Sequence, residues 1–277
     1  MDNRVLERIV IIILLVLDLF LLGVVLGDRA EARRSRGETE VYLTRVLESN
    51  GVSVGKNAVL VQQVPPKCTL VRSAETEKRM AAKLVGGDPG VEDLGGNILF
   101  YRARQGQAVF RGSGETEALL SPNAVVSSGR PEKTTARLLR KMGLEAELLA
   151  SGVNEADGET YTELLCCREG CPVFNAVLHF DFSGDCVYML TGTRIFDRVT
   201  EERSEGLLDS ASALLRFVEL LRSGEIACTR LERFRPGYLS SVLVSGESTL
   251  SPVWCLETDG GTILINAENG KIVSNPA

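Results

Sequence analysis

Three cysteines that lie close together in the sequence, Cys166, Cys167 and Cys171, are the first residues whose type and spacing suggest chemistry. A zinc site would need a fourth ligand, and adjacent cysteines on a strand point to opposite faces, so the spacing disfavours a metal. Cross-strand disulfides, with Cys186 as a further partner, are favoured over a metal if this region is exported into an oxidising space. Because the chain has 7 cysteines, at least one thiol would then remain free or pair between molecules. The leading interpretation is that these cysteines are small, buried apolar residues.

The single histidine, His179, is the other candidate for chemistry. One histidine excludes a multi-histidine metal centre, and a Ser–His–Asp triad would have to use it. It falls on the polar face of an alternating strand, two residues before Asp181, which is typical of a solvated position. A catalytic role would need a nucleophile and an orienting group that the pattern does not locate. We therefore expect no catalytic residue, no cofactor and no metal.

The composition favours a binding protein over an enzyme and excludes several other classes. The 277 residues include 31 Lys+Arg and 37 Asp+Glu, which gives a formal net charge of −6. Non-specific nucleic-acid binding needs a basic footprint, so no nucleic-acid partner is expected. The hydrophobic content of 44% excludes wholesale disorder. The length is typical of one membrane or targeting segment followed by about two domains.

The apolar run Ile9–Gly27 predicts a membrane-spanning helix. Its 19 residues include 16 Ile, Val, Leu or Phe, two glycines and one acid. A helix of this length covers roughly 28 Å, close to the hydrocarbon thickness of a bilayer. A signal peptide has a shorter apolar region, and the A-x-A sequence at Ala30–Ala32 lies among charges, so an uncleaved anchor is favoured over a cleaved signal. The Lys and Arg residues on either side do not decide the orientation.

Asp18, at the centre of this run, is the candidate for a contact with a partner helix. An ionisable residue inside a membrane is costly and by default points to function. The alternative is a protonated Asp that the apolar neighbours carry into the bilayer. Gly23 and Gly27 add a G-x-x-x-G spacing that lets helices approach closely.

The rest of the chain alternates segments of helical and strand periodicity, which predicts an α+β fold. We expect residues 1–8 before the span, the span at 9–27, a linker at 28–37 and two units at 38–128 and 129–277. The predicted helices are Glu38–Asn50, a helix capped by Ser73 that ends at Leu84, one from Pro131 to Met142, and Leu207–Leu221.

The predicted strands form antiparallel hairpins. In the first unit we expect a strand at Val52–Val64, a loop at Gly87–Gly96 and a hairpin over Asn97–Phe110. In the second unit the predicted strands are Thr160–Cys167, Val173–Phe182, Cys186–Phe196, Val253–Thr258, Thr262–Ala267 and Lys271–Val273. We expect Tyr238 and Trp254 to pack between sheet and helix rather than bind a ligand.

Three stretches taken together resemble the YycI (WalI) family of regulatory proteins. They are the Leu-Asp-Leu-Phe-Leu-Leu core of the apolar run, the strand Cys171–Phe180, and a tail in which Gly-Tyr, Pro-x-Trp and Asn-Ala-x-x-Gly follow one another. The resemblance is strongest from about Leu138 to Val273. The residues that carry it, and to which it gives a structural role, are Phe174, Asn175, Gly237, Tyr238, Pro252, Trp254, Asn266, Ala267 and Gly270.

The resemblance implies a cytoplasmic N-terminus, one transmembrane helix and two extracytoplasmic PepSY-like α+β units. It also implies partners, namely a WalK-like sensor histidine kinase and a YycH-like companion, contacted through membrane helices in the control of cell-wall homeostasis. The family pattern has Asn where this chain has Asp18.

Three hypotheses follow. The favoured one is a membrane-anchored, non-enzymatic regulator whose specificity resides in the Asp18-bearing helix. The second is a PepSY-like extracytoplasmic module that binds a peptidase or an envelope ligand, with the helix as a tether. The third is an enzyme of envelope metabolism that depends on His179.

Overall fold

Helices form where the sequence supplies both an apolar stripe and end signals. The computed structural model describes residues 37–127, 129–155, 158–196, 198–242 and 247–273, and these contain four helices. The helices are α1 (37–49), α2 (Ala74–Val85), α3 (Pro131–Met142) and α4 (Ser210–Ser223). Ser73 caps α2 by accepting a hydrogen bond from the Thr76 amide, and Gly143 ends α3 in the left-handed conformation. The predicted helices are confirmed, with small shifts at their ends.

The largest shift, at the start of α4, has a clear cause. Asp209 caps the helix, so Leu207 and Leu208 lie before it rather than inside it. The backbone of Leu208 is used elsewhere: its amide donates to the Ala267 carbonyl at 2.7 Å, and its carbonyl accepts from Trp254 Nε1 at 2.9 Å.

The described strands form two largely antiparallel sheets. The strands of sheet I are β3 (Gly90–Asp93), β4 (Ile98–Ala103), β5 (Gly106–Arg111), β6 (Glu115–Leu120), β7 (Glu145–Val153), β8 (Thr160–Arg168), β9 (Cys171–Ser183) and β10 (Cys186–Thr193). Their order across the sheet is β7-β8-β9-β10-β6-β5-β4-β3.

The strands of sheet II are β1 (Ser53–Val54), β2 (Lys67–Val71), β11 (Arg198–Arg203), β12 (Arg230–Val242), β13 (Glu247–Thr258), β14 (Gly261–Asn266) and β15 (Ile272–Val273). The sheet is built around the long strand β13. One edge of β13 pairs with β12, and the other edge pairs with β2 and β14. The sheet is extended by β11, by β15 and by β1, which runs parallel to β12. The two sheets join where Tyr238 of β12 pairs in parallel with Val173 of β9.

Two predictions for the first unit are wrong. The strand expected at Val52–Val64 is limited to the two residues of β1, because Lys56 and Asn57 form a turn that the Ala58 amide closes on the Gly55 carbonyl at 3.0 Å. The loop expected at Gly87–Gly96 contains β3. All four residues of β3 are exposed, so no alternation between buried and exposed side chains could show it in the sequence.

Two hydrophobic cores lie between the helices and the sheets. In the first, α2 and α3 pack side by side and bury residues such as Leu84 and Leu139 against Phe180. In the second, Leu43 of α1 and Phe217 of α4 pack against Trp254. Both cores draw residues from before and after the boundary predicted between residues 128 and 129. That the two halves are separate domains stays a prediction.

The α+β class with antiparallel sheets is confirmed. The predicted membrane span, with Asp18, Gly23 and Gly27, lies outside the described residues. Within the ranges that are described, no helix has the length and apolarity needed to cross a membrane.

Candidate functional site

Four of the nine residues that carry the YycI resemblance come together where sheet I meets sheet II. The side-chain amide of Asn175 donates to the Ser240 carbonyl at 2.7 Å and accepts from the Ser240 amide at 2.8 Å. It thereby continues the backbone pairing begun by Tyr238 and Val173 one step further along the two strands. We call this contact region, formed by Phe174, Asn175, Gly237 and Tyr238, the sheet junction.

Gly237 is required at the sheet junction by space. A Cβ atom at this position would lie 2.5 Å from Cε2 of Phe174 and 2.6 Å from the Pro172 carbonyl oxygen. Tyr238, beside it, is 2% exposed and belongs to the first core. Burial raises the pKa of the Tyr238 phenol, and the nearby Cys68 thiol raises it further. Tyr238 therefore packs inside the fold, as predicted, and does not present its hydroxyl to a ligand.

The other five residues tie the β14–β15 hairpin to the start of α4. Trp254 donates from Nε1 to the Leu208 carbonyl, and its ring stacks on Phe234 at 4.8 Å between centroids. The Ala267 amide donates to the Pro252 carbonyl at 3.0 Å. In the hairpin the Gly270 amide donates to the Asn266 carbonyl at 2.9 Å, and the Gly270 carbonyl accepts from Arg216 Nε at 3.0 Å. All nine residues therefore hold elements of the fold together.

A groove of about 480 Å³ opens beside the sheet junction, on the faces of both sheets that point away from the helices. Its walls are largely apolar, with Leu149, Leu165 and Val177 on one side and Leu264 on the other. Arg235 lies between them, 21% exposed, with its guanidinium 5.3 Å from the centroid of the Phe174 ring. The groove is the concave surface that this junction offers to a partner.

The charge of Arg235 is balanced by two carboxylates. Nη1 of Arg235 donates to Glu147 at 2.6 Å, and Nε lies 3.6 Å from Glu257. Burial opposes the charged form of Arg235, but the hydrogen bond and charge of Glu147, with further charges that include Glu257, raise its pKa overall. The groove therefore carries no spare positive charge at this point. Sequence reasoning missed Arg235 and Glu147, although the alternation of Arg233 and Arg235 within one strand was a usable signal.

His179 lies on the exposed face of sheet I, where the sequence places it. Its Nε2 is 2.9 Å from Asp181 and its Nδ1 is 3.2 Å from Glu163, while the Tyr161 ring stacks on it at 5.4 Å. Both ring nitrogens thus face carboxylates of neighbouring strand positions. This arrangement uses the imidazole to link β8 and β9, and it pairs neither ring nitrogen with a hydroxyl or a thiol.

The cysteines are all free thiols. The disulfides considered for Cys166, Cys167, Cys171 and Cys186 are therefore not formed. Cys166 points towards the Thr193 carbonyl, at 3.8 Å, whereas Cys167 points towards the Leu165 carbonyl, at 3.5 Å. Burial raises the pKa of Cys166 to about 12 and that of Cys167 to about 11, so both are protonated at neutral pH. Among the described residues, no group of three or more His, Cys, Asp or Glu is placed to hold a metal ion.

No protein-family model matches the chain, and no curated protein matches its sequence. An uncharacterized protein from Eubacterium rectale superposes with a TM-score of 0.46 at 11% identity, covering 80% of this chain and 89% of that chain. The Bacillus megaterium YpeB C-terminal domain gives a TM-score of 0.37 at 11% identity, covering 74% of this chain and 97% of that chain.

Proposed function

We propose that the chain is a membrane-anchored, non-enzymatic regulator of the YycI type, built from an N-terminal membrane helix and two PepSY-like extracytoplasmic units. It modulates a WalK-like sensor histidine kinase of cell-wall homeostasis, together with a YycH-like companion. The observation that carries the proposal is the apolar run Ile9–Gly27 with the single carboxyl of Asp18 at its centre. A group so costly to bury is retained where it meets a partner.

The folded region supports a binding role. The nine residues of the resemblance are used in contacts between elements, and both ring nitrogens of His179 face carboxylates. The groove beside the sheet junction supplies a second, extracytoplasmic contact surface of about 480 Å³. In this proposal the membrane helix selects the partner and the groove adds a contact outside the bilayer.

Asp18→Leu tests the proposal. We expect it to weaken co-purification with the kinase in a non-ionic detergent and to change signalling, while the circular dichroism of the folded region stays unchanged. Asp18→Asn should retain part of the contact, because its amide still forms hydrogen bonds. As a matched control, Val16→Asp combined with Asp18→Leu keeps the carboxyl but moves it roughly 200° around the helix, and should not restore the contact. Unchanged co-purification and signalling in Asp18→Leu would overturn the proposal.

The groove also favours a second candidate function, a PepSY-like module that binds a peptidase or an envelope ligand and uses the helix only as a tether. Replacing residues 9–27 with an unrelated apolar helix separates the two functions. If the helix only tethers, such a chain keeps full activity. If the helix selects the partner, its activity falls to the level of Asp18→Leu.

A further inference from the structure

A basic cleft of about 330 Å³ lies between α2 and α3, on the side of the first core that faces solvent. Lys83, in the last turn of α2, stands on one side of it. Arg137 and Lys141, four residues apart and therefore on one face of α3, stand on the other. All three side chains are exposed.

These three cations have no counter-charge among the described residues. Within the part of the chain that the structure describes, none of them forms an ion pair, whereas Lys78 on the same helix as Lys83 pairs with Asp88 at 2.9 Å. Helix α3 has four Lys or Arg residues and one Glu, in a chain whose net charge is −6. Solvent screens the repulsion among these exposed charges in the free protein, and an anion that enters the cleft meets three positive charges that form no ion pair with the described residues.

The rest of the cleft adds hydrogen-bonding groups and an apolar floor. The side chain of Gln105 lies over Gly86 at the end of α2, where a Cβ on Gly86 would meet its Oε1. Thr134 of α3 also lines the cleft, but its buried hydroxyl donates to the Arg130 carbonyl at 3.2 Å. The floor is formed by Ala124, Val125, Val126 and Leu138. The lining contains no aromatic side chain, so the cleft offers no surface on which a nucleic-acid base could stack.

We propose that this basic cleft binds an anion that carries two or more linked phosphate groups. Arg binds phosphate through paired donors and Lys through a point charge, and the cleft combines one Arg with two Lys. A phosphate monoester carries about −1.5 to −2 charges at neutral pH and a phosphodiester about −1 per phosphate group, so two or three linked groups match three cations better than one carboxylate or one phosphate does. The volume also exceeds what one phosphate group fills. Such an anion is either a soluble oligophosphate or a stretch of a phosphodiester polymer.

Titration calorimetry of the full chain in a non-ionic detergent tests this directly, with inorganic tripolyphosphate as the probe. We expect saturable binding that weakens about tenfold in each of Lys83→Gln, Arg137→Gln and Lys141→Gln, the loss of one charge-assisted contact. Arg140→Gln is the matched control. Arg140 lies on the same helix, is exposed, has no ion pair among the described residues and does not line the cleft. It should leave the affinity within about twofold.

Two further probes identify the source of the anion and test whether the cleft itself binds it. Inorganic phosphate should bind at least about tenfold more weakly than tripolyphosphate, because it makes fewer charge-assisted contacts. A glycerol phosphate oligomer that binds more tightly than tripolyphosphate would identify a polymer as the source, and the reverse order would identify a soluble oligophosphate. No binding of either tripolyphosphate or the oligomer, or equal losses in Arg140→Gln and Arg137→Gln, would overturn the proposal. Binding to vesicles of anionic lipid that depends equally on Arg140 would also overturn it, since it would show a diffuse membrane contact.

This site does not depend on the proposed function. Asp18→Leu should leave tripolyphosphate binding unchanged, and Arg137→Gln should leave co-purification with the kinase unchanged in the absence of the anion. Failure of one proposal is therefore distinguishable from failure of the other.

Discussion

Helix α2 carries two charged clusters that differ in where their counter-charges lie. On its inner face the carboxylate of Glu77 accepts hydrogen bonds from Arg72 Nε at 2.7 Å and Nη2 at 2.8 Å, and also from Arg194. Glu77 and Arg194 are each only 2% exposed. On the solvent side, Lys83 joins Arg137 and Lys141 around the basic cleft, where the described residues supply no anion.

The difference separates residues that build the fold from residues left available for binding. Inside the protein, a buried charge without a partner lowers stability by several kcal/mol, so Glu77 is kept in ion pairs with Arg72 and Arg194. At the surface, solvent screens like charges and their repulsion costs little. The three cations of the basic cleft can therefore remain without a counter-ion in the free protein and bind an anion when one is present. Substitutions in the two clusters, and changes of pH, test this contrast, beginning with the largest expected effect.

Glu77→Ala removes the buried ion pairs that Glu77 forms with Arg72 and Arg194. Removing the carboxylate leaves the buried charge of Arg194 without its partner Glu77, and we expect the free energy of unfolding to fall by about 3–5 kcal/mol. Urea unfolding measures this loss. Glu75→Ala is the control, since Glu75 is an exposed residue of the same helix with no ion pair in the described residues, and it should change stability by less than about 0.5 kcal/mol. Equal effects of the two substitutions would contradict the contrast.

Gly237→Ala tests whether close packing at the sheet junction, like the buried ion pairs of Glu77, is needed for stability. The added Cβ would press on the Phe174 ring and the Pro172 carbonyl, so we expect a loss of about 1–3 kcal/mol. Gly37→Ala is the control, because a Cβ there meets nothing within 4 Å. Both are measured by urea unfolding. If Gly237→Ala leaves the free energy of unfolding unchanged, the two sheets do not pack at the sheet junction as described.

The buried thiols extend the contrast to pH. Burial raises the pKa of Cys166 and of Cys255 to about 12, from an ordinary value of 9.0. A group whose pKa is raised on folding stabilises the protein below its unfolded pKa, and that stability is lost as the pH rises from about 9 towards 12. Each of these two thiols should therefore lower the free energy of unfolding by about 1 kcal/mol at pH 10 relative to pH 8.

Urea unfolding at the two pH values, in a reducing buffer, measures this loss. Cys166→Ala should reduce the difference between pH 8 and pH 10. An unchanged difference in that variant would show that the Cys166 thiol is not the group that titrates.

Arg137→Gln should have the smallest effect on stability. Because Arg137 is exposed and forms no ion pair among the described residues, we expect the free energy of unfolding to change by less than about 0.5 kcal/mol. The same variant should lose about tenfold in tripolyphosphate affinity. A stability loss as large as that of Glu77→Ala would show that Arg137 helps to hold the fold together, and would contradict the contrast between the two clusters.

Local signals made part of this fold predictable. Ser73, Pro131 and Gly143 mark helix ends through chemistry that acts over a few residues, and the alternation in β9 shows its buried face. By contrast, β12 contains Pro236 and Gly237, two residues that usually argue against a strand, and only the close approach of Phe174 in the folded structure explains the glycine.

The sites depend on contacts that are distant in sequence. Glu77 of α2 contacts Arg194, which directly follows β10, and Arg235 of sheet II contacts Glu147 of sheet I. Lys83 and Arg137 each look like an ordinary residue on a solvated helix face, and only the packing of α2 beside α3 brings them to one cleft. The net charge of −6 argues against a basic surface, but it is a sum over the whole chain and does not show the local cluster of positive charge at the basic cleft.

In-cell photo-crosslinking from Leu17 and Leu19, the two positions that flank Asp18, tests most directly whether the chain acts through its membrane helix. We predict that at least one of the two positions captures a transmembrane segment of a sensor histidine kinase, and that Asp18→Leu abolishes the capture while the folded region remains intact. Capture that persists in Asp18→Leu, or no kinase captured from either position in cells that signal normally, would contradict the proposed function.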